Sequence, residues 1–329
     1  MLTVITSKFG GRILTTQKSF LLTLWRSDRP LTAVGLSMLG LLAATAVALV
    51  VDPRQITGAP AWLKPAKFAA SIAIYTLTLA WVFSYLPEWI RTRRAVAWVT
   101  AIALVVEIVL IGLQAWRGVA SHFNVGTAFD GAVFSIMGTA IVVQTLAAAA
   151  VACALWKQAF ADNAMGWALR LGMTISIVGA LSAGLMLRPT SAQLAEAANG
   201  RPLSMGAHTV GAPDGGPGLP GTGWSRAHGD LRIGHFIGLH ALQFLPLLAV
   251  LLAAKGWPLD QRTRLILAAS ISYVAMFLLL LWQALRGVSI MNPDRTTVVS
   301  LMIWGLLTAA MLWLASSRRR PIGARLMVH

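Results

Sequence analysis

Eight long apolar stretches, separated by short charged segments, constrain this chain more than any other feature of its sequence. Of its 329 residues, 57% are hydrophobic and only 12% are charged, whereas a soluble globular domain carries about 25% charged residues. A helix needs about 20 predominantly apolar residues to cross the hydrocarbon core of a bilayer. The sequence therefore predicts an all-α integral membrane protein with eight transmembrane helices. We expect the spans near residues 31–51, 66–86, 95–117, 130–156, 166–188, 234–254, 262–285 and 297–316.

The distribution of basic residues predicts how the chain is oriented. With eight spans, both chain ends lie on the same side of the membrane, and that side holds most of the 27 Lys and Arg residues. They include a basic N-terminal arm at 1–29 and a basic tail at 319–329. Because cytoplasmic loops are enriched in Lys and Arg, we expect a plasma (inner) membrane protein with both termini in the cytoplasm. Contact with anionic headgroups of the lipid bilayer explains the net charge of +16 better than binding to nucleic acid.

Similarity between the two halves of the chain predicts an internal duplication. Residues 114–119 (QAWRGV) and 283–288 (QALRGV) match at five of six positions. We predict two tandem four-helix membrane repeats, at 30–157 and 158–318, each with an even number of spans. Such repeats are parallel and related by an axis along the membrane normal, with a natural ligand site in a bundle core or between the repeats.

Most of the unusual polar residues fall at the outer ends of the spans, so we expect any site to face outward. Lys64 and Lys67 enter the second span. Their ammonium groups could neutralise an anionic ligand group through charge-assisted hydrogen bonds. The structural alternative is that both side chains extend along the helix to reach the headgroups.

Two arginines at the ends of spans have the same two interpretations. Arg117 ends the third span and Arg286 ends the seventh, and each is followed by an aspartate, Asp130 or Asp294, that begins the next helix. The arginines could bind an anionic group of a cofactor. Alternatively, each Arg–Asp pair could clasp its helical hairpin, since a cation suits a helix C-terminus and a carboxylate caps a helix N-terminus.

Three histidines are candidate ligands or proton carriers at this outer face. His122 follows the third span, and His235 and His240 lie in the first turns of the sixth. On one continuous helix, a separation of five residues places the last two about 140° apart. Haem ligation or proton transfer would use such residues, and hydrogen-bonded structural histidines are the alternative.

Glu107 lies near the middle of the third span. An ionised carboxylate is costly there, so it must be protonated, paired or beside water. We consider two roles for Glu107: proton coupling, and a buried structural hydrogen bond, for example to a glutamine.

The connection at 189–232 is the one long loop of the chain and lies on the predicted outer side. It opens with a short helix from Ser191 to Asn199, stopped by Gly200, and continues into Gly/Pro-rich sequence at 211–221. Long loops are usually functional lids or disordered segments, and the sequence leaves both open.

The eight-span architecture, the 4+4 duplication and an outward-facing site resemble the haem A synthase family. The pattern Arg117-Gly118, Asn124, Asp130-Gly131 is similar to an outer-loop pattern of that family. The resemblance implies a haem b or quinone-type ligand, held by His235 or His240 with His122. That family carries axial histidines on two spans of each repeat, whereas here the second, fourth and eighth spans contain none.

Three functions are compatible with these features. The first is a redox or cofactor protein, with His235, His240 and His122 as ligands and Lys64, Lys67, Arg117 and Arg286 as anion-neutralising groups. The second is a secondary transporter or permease with proton coupling at Glu107, and the third is a non-catalytic assembly factor that binds a membrane-protein partner. Motifs of soluble hydrolases and ATPases are absent from the sequence, and its single cysteine offers no metal-binding spacing, so we predict no metal site.

Overall fold

The computed structural model describes residues 12–200 and 204–317, with side chains from residue 20 onward. This part of the chain is mostly helical. Its helices are α1 (Arg12–Ser27), α2 (Arg29–Val51), α3 (Leu63–Phe83), α4 (Ile90–Arg117), α5 (Ala128–Lys157), α6 (Asn163–Leu181), α7 (Ser191–Ala198), α8 (Leu231–Leu239), α9 (Ala241–Ala254), α10 (Leu259–Leu285) and α11 (Arg295–Ser316). A 3₁₀ segment, Ser182–Leu187, extends α6. Four two-residue strands form two antiparallel pairs: β1 (Gln55–Ile56) with β2 (Ala59–Pro60), and β3 (Thr209–Val210) with β4 (Gly229–Asp230).

Seven of the described helices are long and apolar enough to cross a membrane: α2 to α5, α6 with its 3₁₀ extension, α10 and α11. The pair α8 and α9 makes an eighth if it is counted as one bent span. The chain therefore has the seven to eight candidate spans expected of a multi-pass membrane protein, close to the predicted positions. Within the predicted basic arm, residues 1–11 lie outside the described residues, and so does the predicted tail at 319–329.

Side-chain caps set where many of these helices begin. Asp28, Thr127, Asp162, Asp230 and Asp294 each precede a helix and accept a hydrogen bond from a backbone N–H in its first turn. Such caps satisfy donors that have no partner within the helix. The predicted short helix in the long connection is also confirmed: Thr190 and Gln193 form a capping box at the start of α7, and Gly200 follows with φ of 71°.

The sixth predicted span departs from the sequence prediction, because the structure breaks it in two. α8 and α9 meet at His240 with a bend of 44°. There the backbone tightens, and the N–H of Gln243 bonds to the carbonyl of His240, three residues back. Pro246 follows inside α9 and has no N–H to donate to the preceding turn. The prediction of one continuous helix at 234–254 is therefore wrong.

The helices pack in a similar way in the two halves of the chain. In the first half, α2, α3 and α4 pack on one another and α5 packs on α4; in the second, α6, the α8–α9 pair and α10 pack on one another and α11 packs on α10. Helix α6 also contacts α5 and so joins the halves. One apolar core runs through both halves and includes Phe83, Leu155, Leu169 and Leu242.

The bundle has two ends, which we name by what they carry. The loop end carries the connections at 52–62, 118–127, 188–230 and 286–294. The terminal end carries the short connections at 84–89, 158–162 and 255–258.

The long connection is folded onto the loop end, and we call its described residues, 188–200 and 204–230, the lid. The N–H of Met205 donates to the carbonyl of Phe123 at 2.8 Å, and the N–H of Gly229 donates to that of Gly287 at 2.9 Å. A Cβ at Gly58, in the β1–β2 turn, would lie 2.5 Å from the carbonyl oxygen of Gly215. The lid thus touches three separate connections of the loop end.

Candidate functional site

Five ionisable side chains gather beneath the lid, and we call them the ionisable cluster. Lys64 lies in the first turn of α3 and Glu107 in α4, His122 lies in the 118–127 connection, and His208 and Asp214 come from the lid. The histidine–carboxylate pairs within it are closer than 4 Å, and the charge of Lys64 acts on Glu107, His122 and His208. Three of the predicted site residues, Lys64, Glu107 and His122, are therefore brought together.

Glu107 is the deepest member of the cluster. Its side chain is 1% exposed, and its Oε1 lies 3.5 Å from Nε2 of His122. Its Oε2 is buried and has no hydrogen-bond partner among the described residues. Among the described residues no glutamine bonds to Glu107, and Gln114 donates instead to Asp130 at 2.8 Å. A buried carboxyl oxygen without a partner is costly, so a proton, water or ligand group must satisfy it.

His122 is enclosed by aromatic rings. The ring centroids of Phe68, Phe123 and Phe134 lie 5.7, 6.3 and 6.3 Å from that of its imidazole. Its Nδ1 is 3.1 Å from the hydroxyl of Ser121. Burial, followed by the charges of Lys64 and His208, lowers the pKa of His122 well below its ordinary value. The imidazole is therefore neutral at pH 7, and its Nε2 faces Oε1 of Glu107.

His208 and Asp214 form the lid's contribution to the cluster. Nδ1 of His208 lies 2.6 Å from the Asp214 carboxylate, and because a carboxylate only accepts, the imidazole donates from Nδ1. Burial lowers the pKa of His208, against the opposing effect of Asp214. Burial would raise the pKa of Asp214, but hydrogen bonds from the His208 side chain and from the backbone N–H groups of His208 and Thr209 lower it well below its ordinary range.

Two further cations, Lys67 and Arg232, lie beside the cluster where the lid meets α3 and α8. Lys67 donates to the carbonyl of Thr222 in the lid at 2.5 Å. Arg232 forms a salt bridge with Asp230 at 2.6 Å. The Lys64 ammonium has no hydrogen-bond acceptor or ion-pair partner within contact distance among the described residues. The charges of Glu107 and Asp214 act on it favourably from further away, and those of Lys67 and Arg232 act on it unfavourably.

The other two predicted histidines lie on the broken span, His235 within α8 and His240 at the break. His235 donates from Nδ1 to the carbonyl of Gly179 at 2.8 Å. His240 lies at the break, with Nδ1 3.2 Å from Oε1 of Gln243 and its ring centroid 4.2 Å from that of Phe236. The residues between them are helical, and the N–H of His240 still donates to the carbonyl of Phe236, so the bend of 44° begins at His240 and not between the two histidines.

The arginines at the helix ends form the predicted clasps. Arg117 pairs with Asp130 at 2.5 Å across the α4–α5 hairpin, and Arg286 pairs with Asp294 across the α10–α11 hairpin. Asp130 also accepts from the hydroxyl of Thr127 at 2.7 Å. Both guanidinium groups thus have carboxylate partners of their own, unlike Lys64. Among the described residues, no group of three or more His, Cys, Asp or Glu side chains is arranged to hold a metal ion.

The sequence analysis did not identify His208, Asp214, Asp230 or Arg232 as site residues. Asp214 lies in Gly/Pro-rich sequence, whose path cannot be inferred from local patterns. A detectable signal was the spacing of Arg232 and His235, which repeats that of Lys64 and Lys67 three residues apart.

Comparisons with known proteins found no match: no protein-family model, curated protein or solved structure matches the chain. The resemblance to the haem A synthase family therefore remains a prediction.

The lid should loosen as the pH falls. His208 is neutral when docked, because its pKa lies below the ordinary value of 6.5, while an undocked His208 takes up a proton below that pH. Docking stability is thus complete above about pH 6.5 and declines as the pH falls through and below it. Hydrogen exchange of residues 204–230, corrected for the intrinsic rate, should be faster at pH 5.5 than at pH 7.5.

His208→Gln is the matched control for this pH dependence, since glutamine can still donate to Asp214 but does not titrate. Lys64 and Arg232 also act on His208, and both remain in the His208→Gln variant, so the difference between the variant and the wild type isolates the contribution of His208. A variant that retains the full acid-induced acceleration would contradict the assignment of the effect to His208.

Proposed function

We propose that this protein is a proton-linked secondary transporter of a small anion, with its binding site under the lid. The anion carries carboxylate or phosphate groups, which are the partners of ammonium ions in charge-assisted hydrogen bonds. Lys64 and Lys67 bind it, and Glu107 with His122 supplies or accepts the coupled proton.

The unpaired ammonium of Lys64 is the observation that carries this proposal. Lys64 is half-buried and contacts no hydrogen-bond or ion-pair partner among the described residues; Glu107 and Asp214 attract it from a distance, while Lys67 and Arg232 repel it. A partly buried ammonium is costly unless a counter-charge contacts it. A bound anion supplies that counter-charge, whereas Arg117 and Arg286 already have theirs.

The proton-coupling role rests on the surroundings of Glu107. The charge of Lys64, on α3, acts on Glu107. His122, in the 118–127 connection, contacts it. Helix α2 carries no charged residue beyond Arg29, and the nearest carboxylate of α5, Asp130, is held by Arg117. Loading and release of one proton at Glu107 therefore changes the charge of a site that binds an anion.

A similar spacing of residues in the two halves supports a pair of parallel repeats. Lys64, Lys67 and Phe68 on α3 correspond in spacing to Arg232, His235 and Phe236 on α8. A site between parallel repeats can be opened to either side by a rocking motion of one repeat against the other. The basic residues of the terminal end orient that end to the cytoplasm, so the lid faces outward.

Cofactor binding is a second candidate, favoured by His235. Its Nδ1–H is bound to the carbonyl of Gly179, an arrangement that fixes the tautomer and leaves Nε2 available to a metal. A haem b ligated there gives a Soret band that shifts after dithionite and is lost in His235→Ala. A featureless spectrum, from cells supplied with haem, removes this candidate. Within residues 12–200 and 204–317, no contact specifically favours the assembly-factor hypothesis.

Transport can be tested in liposomes that contain a pH-sensitive dye. Inorganic phosphate, succinate, citrate and lactate are added outside in turn, and at least one should acidify the interior faster than in protein-free liposomes. Lys64→Gln should slow that signal by about tenfold or more, since a hydrogen bond to a charged group contributes about 1.5–3 kcal/mol.

Lys157→Gln is the matched control, because Lys157 is an exposed lysine at the terminal end of α5. It should leave the rate unchanged. Transport is contradicted if none of the four anions gives a signal, or if Lys64→Gln and Lys157→Gln behave alike.

A further inference from the structure

Polar residues recur at every seventh position along α4. They are Arg93, Thr100, Glu107 and Gln114. Seven residues advance an α-helix by about 700°, which is two turns less 20°, and by about 10.5 Å. The four side chains therefore lie along one face of this 28-residue helix, and we call them the α4 stripe.

The stripe faces the interior of the bundle. Thr100 and Gln114 are 0% exposed and Glu107 is 1% exposed, while α4 packs against α2, α3 and α5. Buried apolar residues on the same helix, such as Leu104 and Ile108, belong to a hydrophobic cluster shared with α2 and α3. A polar line is thus maintained through an otherwise apolar region, where polar groups are usually functional.

Half of the buried side-chain atoms that lack a hydrogen-bond partner among the described residues lie on the stripe. Six buried side-chain atoms have no partner among the described residues, and three of them are on the stripe: Nε of Arg93, Oγ1 of Thr100 and Oε2 of Glu107. Thr45 and Thr76, buried on α2 and α3, instead bond to carbonyls of their own helices. A lost hydrogen bond of this kind costs about 1–3 kcal/mol, and buried water is the usual partner of such groups.

We infer that the α4 stripe lines a hydrated path that carries protons between Glu107 and the terminal end of the bundle. The inference rests on the proposed function, because it gives the coupled proton its route. Between successive stripe residues, about 10.5 Å apart, three or so water molecules bridge the gap at hydrogen-bond spacings of about 2.8 Å.

Each residue has a defined role on this path. Glu107 gives its proton to the nearest water, each water passes a proton onward, and the hydroxyl of Thr100 both accepts and donates. Arg93 does not release its proton; it orients the last water from Nε, while its Nη2 is fixed to the carbonyl of Ser27 at 2.7 Å. Gln114 is hydrogen-bonded to Asp130 and takes no part in the path. The path therefore ends at Glu107, where it meets the ionisable cluster.

The test compares two cysteines at the same depth in α4. Thr100→Cys lies on the stripe, and Ala101→Cys lies about 100° around the helix at a position that is also buried, with 5% exposure. Each is made with Cys153→Ser, which removes the chain's single cysteine. Membranes are treated with 2-aminoethyl methanethiosulfonate, and remaining thiols are then counted with a maleimide dye after denaturation.

Water along the stripe predicts that the cysteine at 100 reacts at least about tenfold faster than the one at 101, since only a thiolate reacts and dry apolar surroundings keep a thiol protonated. Equal rates, or no reaction at either position, overturn the path. Labelling does not depend on transport. If the cysteine at 100 reacts but no anion gives a transport signal, the proposed function is overturned, while the hydration of the stripe is supported.

Thr100→Val provides a second measurement that does not depend on a cysteine. It should slow anion-driven acidification of liposomes by about tenfold while anion binding in detergent is unchanged, and Thr45→Val should alter neither. Equal acidification rates for the two valine variants would show that the proton does not pass Thr100.

Discussion

Replacing Glu107 with Gln should abolish uphill accumulation of the anion while leaving downhill exchange of labelled for unlabelled anion intact. Glutamine nearly matches the volume of glutamate but cannot take up or release a proton. For one coupled proton, each pH unit across the membrane is equivalent to about 1.4 kcal/mol, a factor of ten in concentration. In liposomes with a gradient of one pH unit, wild-type protein should therefore approach a tenfold concentration ratio, and Glu107→Gln should stay near one.

Glu88→Gln is the control for the loss of a carboxylate, because Glu88 lies in an exposed connection at the terminal end. It should accumulate the anion like the wild type. If Glu107→Gln still concentrates the anion, Glu107 is not the coupling group, whatever its role in the fold. If exchange is lost as well, Glu107 is needed for binding and not for coupling alone.

The second large effect is structural and concerns the contact between α6 and α8. A Cβ at Gly179 would lie 2.5 Å from the carbonyl carbon of Gly238 and 2.6 Å from the backbone nitrogen of Leu239. The two backbones touch, as small residues permit in membrane helices. Gly179→Leu forces the helices apart and displaces the carbonyl that holds His235. Overpacking of this kind costs about 1–3 kcal/mol or more, so the melting temperature in detergent should fall by about 5 to 10 °C.

Gly138→Leu is the matched control for this substitution. Gly138 lies in α5, and a Cβ there meets nothing within 4 Å, so the new side chain enters open space at the surface of the bundle. Its melting temperature should stay within about 2 °C of the wild type. The close α6–α8 contact is contradicted if the two leucine variants melt at the same temperature.

The positions of the spans were predictable because they depend on apolar length alone. The break at His240 was not, since hydropathy averaged over a span does not detect a local change in hydrogen bonding. The clasps Arg117–Asp130 and Arg286–Asp294 were predictable because helix ends have known charge preferences. Their repetition in the two halves made that prediction stronger.

The site was predictable only in part, for a physical reason. Lys64, Glu107 and His122 attract attention because ionisable residues in or beside a span are rare. His208 and Asp214 reach the site through the lid, whose tertiary contacts with Phe123 and Gly287 have no counterpart in local sequence patterns. The seven-residue spacing of the α4 stripe is visible in the sequence, but its significance depends on burial and on the atoms left without partners.

Proton uptake on anion binding is the most direct test of the central claim, that the ionisable cluster binds an anion together with a proton. Titration calorimetry of the detergent-purified protein, with succinate and with inorganic phosphate in turn, is carried out in buffers of different ionisation enthalpy. The dependence of the heat on the buffer gives the number of protons taken up. The account predicts uptake close to one proton by the wild type and close to none by Glu107→Gln; binding without any proton uptake, or no binding of either anion, would contradict it.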